Sequence, residues 1–316
     1  MIFEKNKKCI NMSEQPLLTL CIPTFNRAPF LDILLSKIEK QTGEFVNIRF
    51  LELIVSDNCS NDNTSQIVHK YLNKGLAITY IRNDSNLGMD GNFVQCFKKA
   101  TGKYIWLLGD DDFLKDGALN KIMLELNGSE YGLVHLQVGS KCQKFKTVYW
   151  DSQAFISSIS FWITFISSNI VNAKYVPLIN FEKYMGTYFT LIPLYMTAAF
   201  SEKVNLMIHE RLMEDAADPE RNGGYNFFQV FVDNYLSIWR EFRLKGYVST
   251  YYFEKEKYIL LRHFLLGFIV KLLFYKDLGN FEIKGAWKSM LKEYWYYPYF
   301  YCFILVLYIK YYFQSK

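Results

Sequence analysis

The feature of this sequence that most constrains its fold is an alternation of short apolar runs with amphipathic stretches between residues 17 and 137. Five runs are too short for helices and are rich in β-branched or aromatic residues, as strands are: 17–22, 50–55, 77–81, 104–108 and 133–136. Strands that alternate with helices form βαβ units. We therefore predict an α/β fold with a doubly wound, mostly parallel sheet.

Three of the stretches between these runs have one apolar helical face, and the helices they predict have polar start signals. The faces are formed by Phe30, Leu31, Leu34, Leu35 and Ile38, then by Ile67, Val68, Tyr71 and Leu72, then by Phe93, Val94 and Phe97. Asn61, Asp62 or Asn63 is a candidate N-cap for the second helix, and Asp90 or Asn92 for the third.

Each of the first four predicted strands is followed by a polar segment. These segments are Pro-Thr-Phe-Asn-Arg at 23–27, Ser-Asp-Asn-Cys-Ser-Asn-Asp at 56–62, Arg-Asn-Asp-Ser-Asn-Leu-Gly at 82–88 and Gly-Asp-Asp-Asp at 109–112. Ligands of open α/β sheets bind at the carboxyl ends of the strands. The four segments therefore predict one shared binding site.

The run from Asp110 to Asp112 is the strongest chemical signal among these segments. Three adjacent carboxylates repel one another unless a cation is present, and hard oxygen ligands suit Mg²⁺ or Mn²⁺. A divalent ion would also neutralise a nucleotide diphosphate as its bond to a sugar breaks. The alternatives are ordinary turn chemistry and an N-cap at Asp112 for a helix starting near Leu114.

The motifs also resemble a known family. Leu-Thr-Leu-Cys-Ile-Pro-Thr-Phe-Asn-Arg, Leu-Ile-Val-Ser-Asp-Asn-Cys-Ser-Asn-Asp-Asn-Thr, Asn-Leu-Gly and Gly-Lys-Tyr-Ile-Trp-Leu-Leu-Gly-Asp-Asp-Asp come in the order and spacing of glycosyltransferase family 2. Within that family the chain is similar to the abequosyltransferase-type branch of bacterial surface polysaccharide assembly. The resemblance implies a GT-A fold, an inverting single displacement, a nucleotide-sugar donor and a divalent metal, Mg²⁺ or Mn²⁺.

The resemblance also implies roles for individual residues. Those that would hold the donor come from all four strand ends: Pro23, Thr24, Arg27, Asp57, Asn86, Gly88, Asn92 and Asp110. Asp57 would contact the base, and Asp111 would be the leading metal ligand, with Asp110 or Asp112 as the second acidic contact. Many members have Asp-x-Asp at this place, whereas this chain has Gly109 at the first of those positions.

Inversion requires a general base that takes the proton of the acceptor hydroxyl. The family usually draws this base from an acidic residue beyond the nucleotide-binding half. Glu214 and Asp215 resemble the Glu-Asp pair often found there, and Asp215 is our first choice. A solvated acidic loop is the alternative interpretation of the same segment.

Beyond Trp150, helical periodicity dominates, with helices expected over 227–242 and 258–275. The segment 294–313 is nearly long enough to span a bilayer, which takes about 20 apolar residues. Pro298 and Lys310 interrupt it, and its tyrosines favour the headgroup level, so we expect an interfacial helix; packing on the protein itself is the alternative.

Bulk properties limit the partners. The net charge of +5 does not indicate general nucleic-acid binding, but it allows contact with anionic lipids or a phosphorylated substrate. Six scattered cysteines and the lack of an apolar segment before Pro16 favour a cytoplasmic location. With the resemblance, these observations imply a peripheral enzyme at the inner membrane face that uses a glycan or lipid-linked acceptor.

We therefore expect four segments. These are a disordered N-terminal extension at 1–16, a nucleotide-sugar-binding α/β half at 17–140, an acceptor-side half at 141–226 and a helical, membrane-associated region at 227–316. The expected activity is inverting glycosyl transfer. The alternatives are a sugar nucleotidyltransferase, which would need a Gly-rich basic loop after the first strand, and an inactive membrane-bound scaffold of the same fold.

Overall fold

The computed structural model describes residues 15–44, 50–137, 144–214, 223–275 and 280–314. Residues 1–14 of the expected N-terminal extension lie outside this set. Gln15 donates its side-chain amide to the Thr101 carbonyl, and the Pro16 carbonyl accepts from the Lys103 N–H. The ordered fold therefore begins no later than Gln15.

The described chain forms one eight-stranded sheet in the order β3-β2-β1-β4-β7-β5-β8-β6. Its strands are β1 (Leu18–Thr24), β2 (Leu51–Asp57), β3 (Ile78–Arg82), β4 (Tyr104–Leu107), β5 (Leu133–Leu136), β6 (Lys146–Tyr149), β7 (Asn169–Asn172) and β8 (Asn205–Ile208). The pairs β1–β2, β1–β4, β2–β3 and β5–β8 are parallel, and β7 and β6 add the antiparallel pairings. The predicted fold class is confirmed.

The helices α1 to α6 connect and cover these strands. They are α1 (Ala28–Glu44), α2 (Thr64–Asn73), α3 (Gly88–Lys99), α4 (Ala118–Gly128), α5 (Ser152–Ile159) and α6 (Ile192–Ser201). Short 3-10 turns at Ser160–Thr164, Ile166–Ser168, Ala173–Leu178 and Phe181–Tyr184 fill the segments around β7. The expected helices at α1, α2 and α3 are confirmed.

The sheet separates two hydrophobic cores, because successive side chains of a strand point to opposite faces. On β1, Leu18, Leu20 and Ile22 pack with α1, α2 and α4, whereas Cys21 packs with α3, α5 and α6. All seven residues of β1 are buried. Burial on both faces explains why this strand is a nearly continuous apolar run in the sequence.

The helical region packs on the second of these cores. It contains α7 (Tyr235–Leu244), α8 (Thr250–Leu260), α9 (Leu266–Val270), α10 (Ala286–Tyr294) and α11 (Pro298–Gln314). The helices expected over 227–242 and 258–275 are interrupted by π-helical turns at Gln229–Asn234, Leu261–Leu265 and Lys271–Tyr275. Among the described helices, none is long and apolar enough to cross a bilayer.

Two further expectations from the sequence differ from the structure. Strands do not stop at Trp150, because β7 and β8 follow it and join the same sheet. The third helix begins at Gly88 with Leu87 as its N-cap, so Asp90 and Asn92 lie inside α3 and do not cap it. Both side chains accept tertiary hydrogen bonds there instead: Asp90 from the Gly186 N–H and Asn92 from the Ser56 hydroxyl.

Candidate active site

The candidate site lies where the order of the strands reverses. The chain places β2 and β3 on one side of β1 and then β4 on the other side. Such a switch point opens a crevice at the carboxyl ends of the two central strands. Thr24 ends β1, and its hydroxyl donates to Asp110 Oδ2 after β4 at 2.7 Å. This hydrogen bond joins the two strand ends across the crevice.

Arg27 is the cation of the crevice. Its Nε lies 2.9 Å from Asp110 Oδ1, and its Nη2 donates to Asp111 Oδ2. Asn26, which precedes Arg27 in the turn, has a φ of 54°. This is a left-handed conformation that asparagine tolerates better than most residues. The guanidinium also stacks over the Phe30 ring at 4.6 Å. Arg27 is therefore held between two carboxylates by the β1–α1 turn.

Asp112 turns away from Arg27 and toward β7. Its Oδ2 accepts from the Ser167 hydroxyl at 2.5 Å, and the same hydroxyl accepts from the Gly109 N–H at 2.8 Å. A Cβ placed on Gly109 would lie 2.7 Å from Asp112 Oδ2. An aspartate at position 109 would therefore require the Asp112 carboxylate to move.

Burial shifts the acid–base behaviour of two of these aspartates. It raises the pKa of Asp110 to about 7, with Arg27 and Thr24 opposing the shift and the neighbouring aspartates adding to it. It raises the pKa of Asp112 to about 6, against the hydrogen bond from Ser167. Additional positive charge in the crevice would stabilise the ionised form of both carboxyls.

A network of amides forms the opposite wall. Asn58 donates to Asn86 Oδ1 at 2.7 Å and to the Gly88 carbonyl at 3.1 Å, and its own Oδ1 accepts from the Leu87 N–H. Asn92 accepts from the Ser56 hydroxyl at 2.7 Å. Gly88 has a φ of +73°, which a side chain would strain, at the point where α3 begins. The amides and the N-terminus of α3 thus face the crevice together.

Asp57 lies beneath this wall with no exposed surface. Its Oδ1 accepts from the Ser60 N–H at 2.8 Å and its Oδ2 from the Tyr80 hydroxyl at 2.7 Å, while Arg82 lies 4.0 Å from Oδ2. The carboxylate thus fixes the turn after β2. Its contact with a base stays a prediction.

The walls enclose a cleft of about 360 Å³. Eight of the residues predicted for the site line it: Pro23, Thr24, Arg27, Asn86, Gly88, Asn92, Asp110 and Asp111. Six lining residues were not singled out individually: Phe25, Asn58 and Gly109, which lie in the predicted strand-end segments, and Met89, Phe93 and Ile166, which lie outside them. Asn58 follows Asp57 directly, and the polar segment after β2 was a signal that could have singled it out.

The segment before the predicted general base runs beside the aspartates. Met213 pairs with Leu114, and the Glu214 N–H donates to the Phe113 carbonyl at 2.8 Å. The side chain of Glu214 is exposed and pairs with Lys37 of α1 at 3.0 Å. Asp215, our first choice for the base, lies outside the described residues. The Glu214 backbone therefore enters close to the Asp110–Asp112 loop.

The aspartates carry the oxygen ligands that a divalent cation prefers, but their present arrangement is not that of a metal site. Within the described residues, no three His, Cys, Asp or Glu side chains are grouped as a metal site. Asp110 and Asp111 nevertheless both line the cleft and share one guanidinium as their counter-ion. A pair of hard oxygen donors around a position already held by a cation suits Mg²⁺ or Mn²⁺.

Comparison with known proteins places this geometry in a family. The family model described as "Glycosyl transferase family 2" matches residues 19–192, more than half of the chain. The chain belongs to glycosyl transferase family 2. This confirms the resemblance seen in the strand-end motifs, and the matched range covers the strands, helices and turns that build the cleft.

Two curated relatives are similar to about a third of this family 2 chain. Abequosyltransferase RfbV of Salmonella typhimurium is 38% identical over 104 residues, which are 33% of this chain and 30% of that protein. The GalNAc(5)-diNAcBac-PP-undecaprenol beta-1,3-glucosyltransferase of Campylobacter jejuni is 34% identical over 113 residues, 35% of each chain. The match thus spans about a third of the length of these relatives.

Solved structures share the fold over more of the chain. Residues 1–349 of TarS from S. aureus superpose with a TM-score of 0.60 at 19% identity, covering 83% of this chain and 75% of that one. The mannosyltransferase PcManGT from Pyrobaculum calidifontis, solved with GDP-Man and Mn²⁺, superposes with a TM-score of 0.54 at 15% identity, covering 78% and 71%. These likenesses support the expected GT-A-type fold.

Proposed function

We propose that this protein transfers a sugar from a nucleotide-sugar donor to a glycan acceptor. The observation that supports this most is the meeting of Thr24, Arg27, Asp110 and Asp111 with an amide wall at the switch point of a family 2 fold. One side of the cleft is charged and suits a diphosphate, and the other donates and accepts hydrogen bonds as a nucleoside requires. The relatives named above are themselves sugar transferases.

A divalent metal is the second part of the proposal. Asp111, with Asp110 beside it, would hold the ion, and Asp112 would hold the loop through Ser167. When bound, Mg²⁺ or Mn²⁺ neutralises charge on the departing diphosphate. Arg27, which now pairs with both carboxylates, would then be able to pair with phosphate oxygens.

The transfer would be a single displacement with inversion. An acceptor oxygen forms a bond to the anomeric carbon while the bond from that carbon to the diphosphate oxygen breaks, and the nucleoside diphosphate leaves with the bonding electrons. The proton of the acceptor hydroxyl passes to a carboxylate base. We assign this base to Asp215, because the Glu214 backbone is anchored at Phe113, beside the aspartate loop.

The base assignment has a direct mutational test. Asp215→Asn is expected to leave nucleotide binding nearly unchanged and to cut turnover by about 100-fold or more, the scale of losing a general base. Glu214→Gln is the matched control, because Glu214 already pairs with Lys37 at the surface. If Asp215→Asn keeps full turnover, or if Glu214→Gln loses as much, the assignment is wrong.

Contact with a membrane surface is a further part of the proposal. Among the side chains of α11 that the structure describes, five large apolar ones are exposed: Tyr301, Leu305, Val306, Tyr308 and Ile309. The opposite side of the helix packs on the protein through Phe300 and Phe303. A helix with one face on the protein and a broad apolar face open to solvent suits an interfacial position and a lipid-linked acceptor.

The experiment that tests the function is thermal unfolding with a panel of nucleoside diphosphates, with and without Mn²⁺. A ligand that binds only the folded protein raises its melting temperature. We expect one nucleotide to give a rise that depends on the metal and on Asp111. A rise without sugar transfer to any glycan would favour the inactive scaffold, and no rise with any nucleotide would contradict the transferase assignment.

A further inference from the structure

A second pocket of about 360 Å³ lies between the π-helical turn Gln229–Asn234 and helix α10. Among the described residues, Lys284, Lys288 and Lys292 line it together with one carboxylate, Asp233. Asp233 accepts from the Ser289 hydroxyl and lies 2.8 Å from Lys292 Nζ. Within the described residues, no carboxylate pairs with Lys284 or Lys288. The pocket therefore keeps an excess of positive charge.

The start of α10 adds to this charge. Gly285, with a φ of 76°, precedes the helix and lines the pocket, and none of the described side chains caps the first turn. Free N–H groups and the helix dipole favour an anion at a helix N-terminus. Lys288 and Lys292 stand four residues apart on α10 and so share one side of the helix, and Lys284 lies just before its N-cap, Gly285. The ligand that this arrangement suits is an anion with several oxygens, such as a phosphate or diphosphate.

A row of apolar side chains lies next to the lysines on the same helix. Trp287, Leu291 and Trp295 also stand four residues apart, and they are 37%, 42% and 62% exposed. Tryptophan prefers the headgroup level of a bilayer, and lysine attracts anionic headgroups. The exposed face of α11 follows directly in the chain. A soluble anion would make no use of this apolar row, whereas a lipid with a phosphate headgroup would use both rows.

The pocket is linked to the donor cleft through one loop. Asn234 lines the pocket and donates to the Thr187 carbonyl at 3.0 Å. On the same loop, the Gly186 N–H donates to Asp90 Oδ2 at 2.9 Å. Asp90 belongs to α3, whose residues Gly88 and Asn92 line the donor cleft. A lipid held in the pocket would thus be anchored on the same framework as the donor.

We propose that this pocket binds the phosphate or diphosphate of a membrane lipid through Lys284, Lys288 and Lys292, with Trp287, Leu291 and Trp295 in the membrane interface. The inference deepens the proposed function, on which it rests, by naming the site that holds the headgroup of the membrane partner. Two lipids share this chemistry: a bulk anionic phospholipid and a prenyl diphosphate that carries the acceptor glycan.

The test is cosedimentation of the full-length protein with phosphatidylcholine vesicles that contain either phosphatidylglycerol or farnesyl diphosphate at equal charge. The variant replaces Lys284, Lys288 and Lys292 with glutamine, and the matched control replaces three exposed lysines elsewhere, Lys98, Lys99 and Lys203. We expect the control to bind like the wild type and the pocket variant to bind about 100-fold more weakly, since each of the three lysines contributes about fivefold near an anionic surface.

Other outcomes decide against the pocket or identify its lipid. An equal loss in both triple variants, or no loss in either, would overturn the proposal. So would inorganic diphosphate in solution binding as tightly as farnesyl diphosphate in vesicles. Stronger binding to farnesyl diphosphate than to phosphatidylglycerol would support the proposal with an acceptor lipid as the source, and equal binding would support it with the bulk headgroup as the source.

Nucleotide-dependent thermal shifts of the same proteins separate this inference from the proposed function. The pocket variant should keep the nucleotide shift of the wild type, because its lysines lie outside the donor cleft. Lysine-dependent vesicle binding without any nucleotide shift would contradict the transferase and leave the lipid site standing. A nucleotide shift without lysine-dependent vesicle binding would contradict the lipid site and leave the transferase standing.

Discussion

Arg27 holds the position between Asp110 and Asp111 at which a divalent cation would be bound. A guanidinium and a metal ion between the same two carboxylates repel each other, so they compete for that position. The sequence predicted these three residues for the site, because each follows a strand that ends at the same edge of the sheet. It could not predict the contact of Ser167 with Asp112, since 55 residues separate them and Ser167 lies in a short 3-10 turn.

This competition gives the first prediction. Arg27→Gln removes the internal cation and leaves two carboxylates in a partly dry cleft, so Mn²⁺ binding without nucleotide should tighten by about tenfold or more. Arg262→Gln, a change at an exposed arginine outside the cleft, is the control and should leave Mn²⁺ binding unchanged. Calorimetric titration with Mn²⁺ measures both. Weaker Mn²⁺ binding by the Arg27 variant would mean that the aspartates are not the metal ligands.

Asp111 gives the second prediction at this scale. Its side chain is 26% exposed and, like Asp110, it lines the cleft. Asp111→Asn should therefore keep the melting temperature within a few degrees while lowering turnover by about 100-fold or more, the scale of losing one charge-stabilising group. Asp116→Asn, a change at an exposed aspartate that pairs with Lys40, is the control for losing a nearby charge. Full turnover by a folded Asp111 variant would remove the metal assignment.

At the scale of elements, the sequence predicts the first five strands well because their apolar runs are bounded by polar turns. The predicted run 17–22 becomes Leu18–Thr24, and 133–136 matches Leu133–Leu136. The strand Asn169–Asn172 has no such signal, since asparagines occupy both of its ends and 3-10 turns flank it. Its place between β4 and β5 is set by tertiary pairing, which no local pattern reports.

The packing of α8 gives a prediction about pH. Glu256 on this helix is buried, and its Oε1 accepts from the Tyr235 hydroxyl of α7 at 2.7 Å and from the Ser160 hydroxyl at 2.9 Å. Its Oε2 has no hydrogen-bond partner among the described residues. Burial raises the pKa of Glu256 to about 8, whereas an unfolded glutamate has a pKa of about 4.3. The folded protein therefore holds this proton over a pH range in which the unfolded chain has lost it.

The stabilisation from this group is full below about pH 4.3 and is lost as the pH rises through about 8. Relative to Glu256→Gln, which stays neutral, the wild type should lose about 1.4 kcal/mol of unfolding free energy per pH unit between about pH 5 and 8. Urea unfolding of both proteins across this range measures the difference. Glu182→Gln controls for loss of an exposed carboxylate. A difference that does not change with pH would show that Glu256 is ionised in the folded protein.

At the scale of the whole molecule, the predicted nucleotide-binding half and the segments after it share one sheet and contact each other through side chains. The strand β7, from the second half, lies between β4 and β5 of the first half. Helix α3, from the first half, holds the loop 186–188 of the second through Asp90, whose Oδ2 accepts from the N–H groups of Gly186 and Tyr188. The cleft and the helical region therefore share one framework, although the hydrophobic pattern of the sequence changes between them.

This coupling gives the last prediction. Asp90 is buried, so Asp90→Ala leaves two N–H groups without an acceptor and should lower the unfolding free energy by about 2 kcal/mol. It should also weaken nucleotide binding, because α3 supplies Gly88 and Asn92 to the cleft. Asp90→Asn keeps an acceptor oxygen and is the matched control; it should lose less than half as much on both counts. Urea unfolding and nucleotide-dependent thermal shifts measure the two effects.

If Asp90→Ala loses stability but binds nucleotide as the wild type does, the loop contact supports the fold without shaping the cleft. If the two variants behave alike, the hydrogen bonds to the loop do not join the halves.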